Sequence, residues 1–179
     1  MKPTQEEIQQ FLEGGDPEKY IVAVEYDYRS SSIFKIKEDP INGKQIIKDK
    51  FVPFAWVGDL RPHKFYSNSK VRQKEAMSKH GIIIEKLNNH EQPRLVEGLN
   101  FIIKTTKTYQ NLVSFFREGG VNPWGEESRQ AIIILSPVEQ YLIQKEKRLF
   151  KGFENYNDIH RLVFDIETTA LRPTDGMIF

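Results

Sequence analysis

The chain has no cysteine. That excludes a disulfide framework and any thiolate metal site, and it fits a reducing compartment. Long apolar runs are missing too. Nothing in the sequence approaches the ~20 apolar residues that cross a bilayer. The start, "MKPTQEEIQQFLEGG", has no apolar centre of signal-peptide type. A cytoplasmic location with no membrane partner is therefore expected. Net charge is also nearly absent: 26 Lys and Arg stand against 25 Asp and Glu, a balance of +1. The overall charge selects no partner. The four histidines, His63, His80, His90 and His160, show no paired helical spacing, so no zinc site is read.

The charge balance conceals an uneven spread. Residues 1–28 carry seven acids against two lysines, net −5, and residues 61–80, "RPHKFYSNSKVRQKEAMSKH", carry six bases against Glu75, net +5. Phe65 and Tyr66 sit inside the basic stretch. Single-strand binding combines backbone-tracking cations with stacking aromatics. Arg61, Lys64, Phe65, Tyr66, Lys70, Arg72 and Lys74 are the candidates for such contacts. The competing reading is a solvated loop and helix. A second basic group, Lys145, Lys147, Arg148 and Lys151, reads as cations favoured at a helix C-terminus. Trp56 and Trp124 could offer stacking surfaces, but packing is the expectation for both.

The 179 residues, 39% of them hydrophobic, suffice for one domain with a core, or for one domain and part of another. "TQEEIQQFLEGG" predicts a short helix, with a Thr4–Glu7 capping box, an apolar face of Ile8, Phe11 and Leu12, and a Gly14-Gly15 stop. Residues 19–59 predict a meander of three antiparallel strands, turned at Asn42-Gly43. Pro53 argues for an edge or a bulge in the third. A polar helix over 68–80 stops at Gly81. "GIIIEKL", "RLVEGLNFIIKTTK" and "AIIILS" are strand candidates. "TYQNLVSFFREGG" is an amphipathic helix with Tyr109, Leu112, Val113 and Phe116 on one face. "SPVEQYLIQKEKRLF" begins a helix with Ser136 as N-cap, Pro137 at N1 and Glu139 at N3. Strands and helices mix without strict alternation, so an α+β fold with a mostly antiparallel sheet and a few helices is expected.

The last stretch, "RLVFDIETTALRPTDGMIF", reads as two strands joined by a short loop. Along the first, Leu162, Phe164 and Ile166 form one apolar face, while Asp165 and Glu167 share the other. Two adjacent carboxylates repel unless something neutralises them. A hard divalent cation does so, and two cations about 4 Å apart can drive phosphodiester cleavage. By itself an Asp-x-Glu on a strand is often only the solvent face of an antiparallel edge.

"VFDIETT", a short loop and "DGMIF" together resemble the first exonuclease motif of family B DNA polymerases. The likeness extends upstream to "DKFVPFAWVGD", which is similar to the N-terminal segment of that family. "SPVEQYLIQKEKRLFKG" resembles segments before the motif in phage-type and bacterial members. The resemblance covers most of the chain in order, but only the exonuclease motif is residue-specific. It implies a polymerase N-terminal domain over 1–158 and, from 159 to 179, the opening strands of a ribonuclease H-like 3′–5′ exonuclease domain. Asp165 and Glu167 would then be catalytic metal ligands for Mg²⁺ or Mn²⁺ in a two-metal site. Thr168 would lie beside the primer terminus. Asp175 is expected only to start the next strand.

The partners implied are DNA, as primer-template and single strand, and the remainder of a polymerase chain. The family's later carboxylate motifs are not among residues 1–179, and the chain ends twelve residues past Glu167. That half-site is expected to bind metal weakly and to cleave nothing alone. Two other readings stand beside this one: a non-enzymatic single-stranded nucleic-acid-binding module, and a truncated ribonuclease H-like nuclease.

Overall fold

The computed structural model describes residues 4–6, 8, 13–58, 70–87, 98–128 and 131–155. Of the expected first helix, residues 5, 6, 8 and 13 are helical and the amide of Ile8 donates to the Thr4 carbonyl at 3.0 Å. Ile8 does not bury the expected apolar face; it is 42% exposed. Phe11 and Leu12 lie outside the described residues.

The meander forms as strands β1 (Ile21–Asp27), β2 (Ser32–Asp39) and β3 (Gly43–Asp49), paired antiparallel in that order. Asp39 explains the tight second turn. Its Oδ1 accepts the amides of Ile41 and Asn42, both at 2.9 Å, and Gly43 closes the loop at φ 69°, a left-handed conformation that a side chain would oppose. The expected third strand is too long, however. It ends at Asp49, and residues 50–53, with Pro53 the last of them, carry the chain from this sheet to another. The next strand, β4 (Phe54–Val57), is neither edge nor bulge: it lies between β6 (Phe101–Thr105) and β7 (Ile132–Ile133). With β5 (Ile82–Lys86) the second sheet runs β5-β6-β4-β7, antiparallel throughout. Proline is tolerated because it sits at the crossing between sheets, where its carbonyl accepts the Thr105 amide at 3.0 Å.

Helix α1 (Lys70–His80) and helix α2 (Tyr109–Glu118) pack on this second sheet. Thr108 and Asn111 cap α2 reciprocally, a pair that satisfies two orphan amides. Leu112, Phe115 and Phe116 from α2, Ala76 from α1, and Ala55, Val57 and Ile103 from the strands make the core. Each fully buried large apolar side chain stabilises by about 1.5–3 kcal/mol. The chain leaves α1 through Gly81 at φ 63°, as its helix-stop signal predicts. Helix α3 (Pro137–Gln144) starts on Ser136 with the expected capping box. The fold is α+β with antiparallel sheets, and among the described residues no helix is long and apolar enough to cross a membrane.

Helix α3 ties the two sheets together. Tyr141, fully buried, donates its phenol to Asp49 Oδ2 at 2.7 Å, at the end of β3. Gln140, also fully buried, accepts the Phe54 amide and donates to the Leu135 carbonyl, each at 2.8 Å. Replacing Gln140 by Leu strands the buried Phe54 amide, while the Leu135 carbonyl keeps the Tyr109 phenol as a donor. The cost expected is about 2 kcal/mol, read as a lower denaturant midpoint. A midpoint equal to wild type would refute the link.

Candidate nucleic-acid interface

The basic stretch is described only in its second half. Arg61, Lys64, Phe65 and Tyr66 lie outside the described residues, as do Asp165, Glu167, Thr168 and Asp175. Lys70 opens α1, and Arg72 and Lys74 are exposed along it, with no acid in the first turn. The helix is too polar to hold itself by an apolar stripe; Ala76 is buried and Met77 half-buried. Its C-terminal end also contacts α2 through polar groups. Lys79 pairs with Glu118, and His80, 4% exposed, brings Nε2 to 3.1 Å from Glu118 Oε1. The His80 contact is one of proximity: the ring nitrogen is not aligned for a hydrogen bond. The hydrogen bond from Lys79 holds the Glu118 carboxyl below the usual carboxylate range, against burial and with help from His80. Lys79 at this helix end also complements the helix dipole. Arg72 and Lys74 are therefore presented on a fixed element.

A second feature lies on the far side of α2. The core takes Leu112, Phe115 and Phe116; the next faces of the helix, including Tyr109, Gln110, Ser114 and Arg117, line an open groove of about 560 Å³. Tyr28 from the β1–β2 turn and Trp124 from the loop after α2 form its walls, and Pro137 lies at the start of α3. Tyr28 is 61% exposed and Trp124 45% exposed. The Arg117 guanidinium lies over the Trp124 ring, 5.6 Å from its centre, a cation–π contact. Gln110 holds Tyr28 in place: its side chain accepts from the Tyr26 phenol at 3.3 Å and donates to the Tyr28 carbonyl at 3.4 Å. Tyr26 in turn meets Tyr28 edge-on at 4.8 Å. At the floor the Tyr109 phenol donates to the Leu135 carbonyl at 3.1 Å. Burial, with Tyr28, Glu139 and Tyr26 nearby, pushes that phenol up to about 12, so it stays a neutral donor. Among the described residues, Arg117 is the one charged group lining the groove.

No family model, curated protein or solved structure matches the chain. The site therefore stands on its own geometry.

That geometry corrects two sequence expectations. Trp124 is not packed away. Trp56 is: it sits half-buried in β4 against Phe54, with ring centres 4.8 Å apart. Nor do the cations after α3 simply complement a helix end. The helix stops at Gln144, and Lys147 turns inward, 6% exposed, to reach Asp16 Oδ2 at 2.9 Å and Glu18 Oε2 at 2.6 Å. Lys151 reaches the Asp16 carbonyl at 2.9 Å. These contacts span more than a hundred residues, so no local pattern announces them. Tyr28, Tyr109 and Arg117 were equally silent. The available hint was "YDYR", where Tyr26 lies on β1 and Tyr28 in the turn that follows it, a place where a ring can reach solvent. Among the described residues no group of three or more His, Asp or Glu side chains could hold a metal ion.

Proposed function

We propose that this chain is the N-terminal part of a DNA-directed DNA polymerase of family B, with its proofreading 3′–5′ exonuclease opening at residue 159. The observation that carries the reading is the sequence "VFDIETT" followed by "DGMIF", in which the alternation of a strand would set Asp165 and Glu167 opposite Leu162, Phe164 and Ile166. In this reading residues 159–179 begin a ribonuclease H-like sheet. Asp165 and Glu167 would hold Mg²⁺ or Mn²⁺ there, and the metals would supply an activated water and stabilise the leaving oxygen. Residues 1–158 form an accessory domain that meets single-stranded DNA in the cytoplasm. The exposed cations of α1 and the aromatic groove support that part.

Two carboxylates make half a metal site. Purified 1–179 is expected not to shorten a 5′-labelled single-stranded oligonucleotide in Mg²⁺ or Mn²⁺. Metal-dependent shortening abolished by Asp165→Ala would overturn this. The coding sequence beyond Phe179 tests the identification: it should supply Asn-x-x-x-(Tyr/Phe)-Asp and Tyr-x-x-x-Asp, then the polymerase aspartates. The accessory role is tested by binding. Affinity for oligo-dT should fall linearly with salt on logarithmic axes. Neutralising one phosphate-binding cation, by Arg72→Gln or Lys74→Gln, should flatten the slope by about 0.7. Absence of any salt-dependent binding would remove the accessory reading.

A further inference from the structure

We infer that the groove between Tyr28 and Trp124 is a stacking site for unpaired bases of a single-stranded nucleic acid, with Arg117 serving a neighbouring phosphate. The inference deepens the single-strand reading and rests on it, but locates contact in a place the basic stretch does not reach. Three observations converge. Two large aromatic side chains are left substantially bare, although burying an aromatic ring is among the larger gains available to a fold. They are held rather than loose: Tyr28 by Gln110 and Tyr26, Trp124 by the Arg117 guanidinium at 5.6 Å. Arg117 is the groove's one charged lining group among the described residues, and the Glu139 carboxylate near Tyr109 is taken up in the cap of α3, accepting the Ser136 amide at 2.9 Å. The nearby carboxylate of Asp27 is spent on its own turn, accepting the amides of Arg29 at 2.9 Å and Ser30 at 3.1 Å.

Every base has a π-face, so aromatic walls accept bases without reading sequence, and arginine adds attraction to both the base and its phosphate. A Pro-rich strand would also suit aromatic walls. Such a strand is neutral, however, and would bury Arg117 without a counter-charge, whereas a phosphodiester supplies one. The groove's size falls within the range of small-ligand clefts. Ser114 and the polar edge of the groove leave room for hydrogen bonds to base edges without demanding a particular base.

The test titrates fluorescein-labelled oligo-dT into the full 179-residue chain by anisotropy, with tryptophan emission followed in parallel. Trp124→Ala is expected to weaken binding roughly tenfold, within the span measured for single stacking residues. Trp124→Phe, which keeps a ring, is expected to recover most of that affinity. Arg117→Gln should weaken binding and flatten the salt slope by about 0.7. Circular dichroism of each variant checks that it is folded. Wild-type affinity in Trp124→Ala overturns the inference. If Arg72→Gln/Lys74→Gln weakens binding while Trp124→Ala does not, the groove is excluded and the single-strand reading stands. If the wild-type chain binds no oligo-dT, both fall. Quenching of Trp124 by a Pro-rich peptide, with none by oligo-dT, also overturns it.

Discussion

Glu18→Ala is expected to destabilise the protein by about 3 kcal/mol, a large share of what holds a small domain. Glu18 is the hub of an ion cluster. It receives Lys35 at 2.7 Å, Lys37 at 3.3 Å and Lys147 at 2.6 Å, and Lys35 and Lys147 are 9% and 7% exposed at the side chain. Asp16 and Asp49 stand beside it, and Tyr141 donates to Asp49. Removing Glu18 leaves two nearly buried ammonium groups with one weaker partner each: Asp16 for Lys147, and Asp49, at 3.9 Å, for Lys35. Deleting one member of a buried pair costs more than the pair is worth, because the other charge stays desolvated.

The same group sets an acid limit. Burial raises the Glu18 carboxyl, but hydrogen bonds from Lys147 and Lys35 outweigh it and hold the group down at about 2. The folded value lies below the unfolded one, so Glu18 contributes stability that is fully present above the unfolded carboxylate range. That stability is lost as pH falls from there toward about 2. A lowering of that size corresponds to roughly 3 kcal/mol. Asp16 is lowered as well: burial opposes, and Lys147 and the Glu18 amide prevail. Guanidinium midpoints measured between pH 6 and pH 3 should fall steeply in wild type and far less in Glu18→Ala. Parallel curves would show that the cluster is not what titrates.

Phe115→Ala is expected to cost about 3–5 kcal/mol. Phe115 is fully buried on α2, meets Phe116 at 5.9 Å between ring centres and His80 at 6.4 Å, and packs where α1 crosses α2. Its removal leaves a cavity that the two helices and β-sheet close only in part. The second consequence is local. Helix α1 is too polar to dock without this packing, so amide exchange in Lys70–His80 should rise more than in β2. Uniform loss of protection throughout would show instead that α1 and the meander unfold together.

The residues behind these predictions differ in legibility. The apolar face of α2, the α3 capping box, the α1 stop at Gly81 and the Asn42-Gly43 turn were readable, because each depends on residues within one or two turns of chain. The expected third strand over-ran Pro53. Propensity alone cannot tell one long strand from two short ones that join different sheets. The aromatic groove was legible only at Trp124, and there as packing, because the exposure of a tryptophan depends on what the rest of the fold places against it.

Among the described residues the sequence by itself determined most of the helices and strands and their caps, since periodicity, caps and turn residues act over a few positions. It also carries the Asp165–Glu167 pattern and the family likeness on which the proposed polymerase role rests. Only the tertiary structure decided that Pro53 divides the chain between two sheets. It alone turned Lys147 inward to meet Asp16 and Glu18, and set Tyr28, Arg117 and Trp124 around one groove. The reason is distance along the chain. These residues meet only once the sheets and helices have packed, and whether a charge becomes a buried partner or an aromatic ring stays open to solvent is settled by that packing.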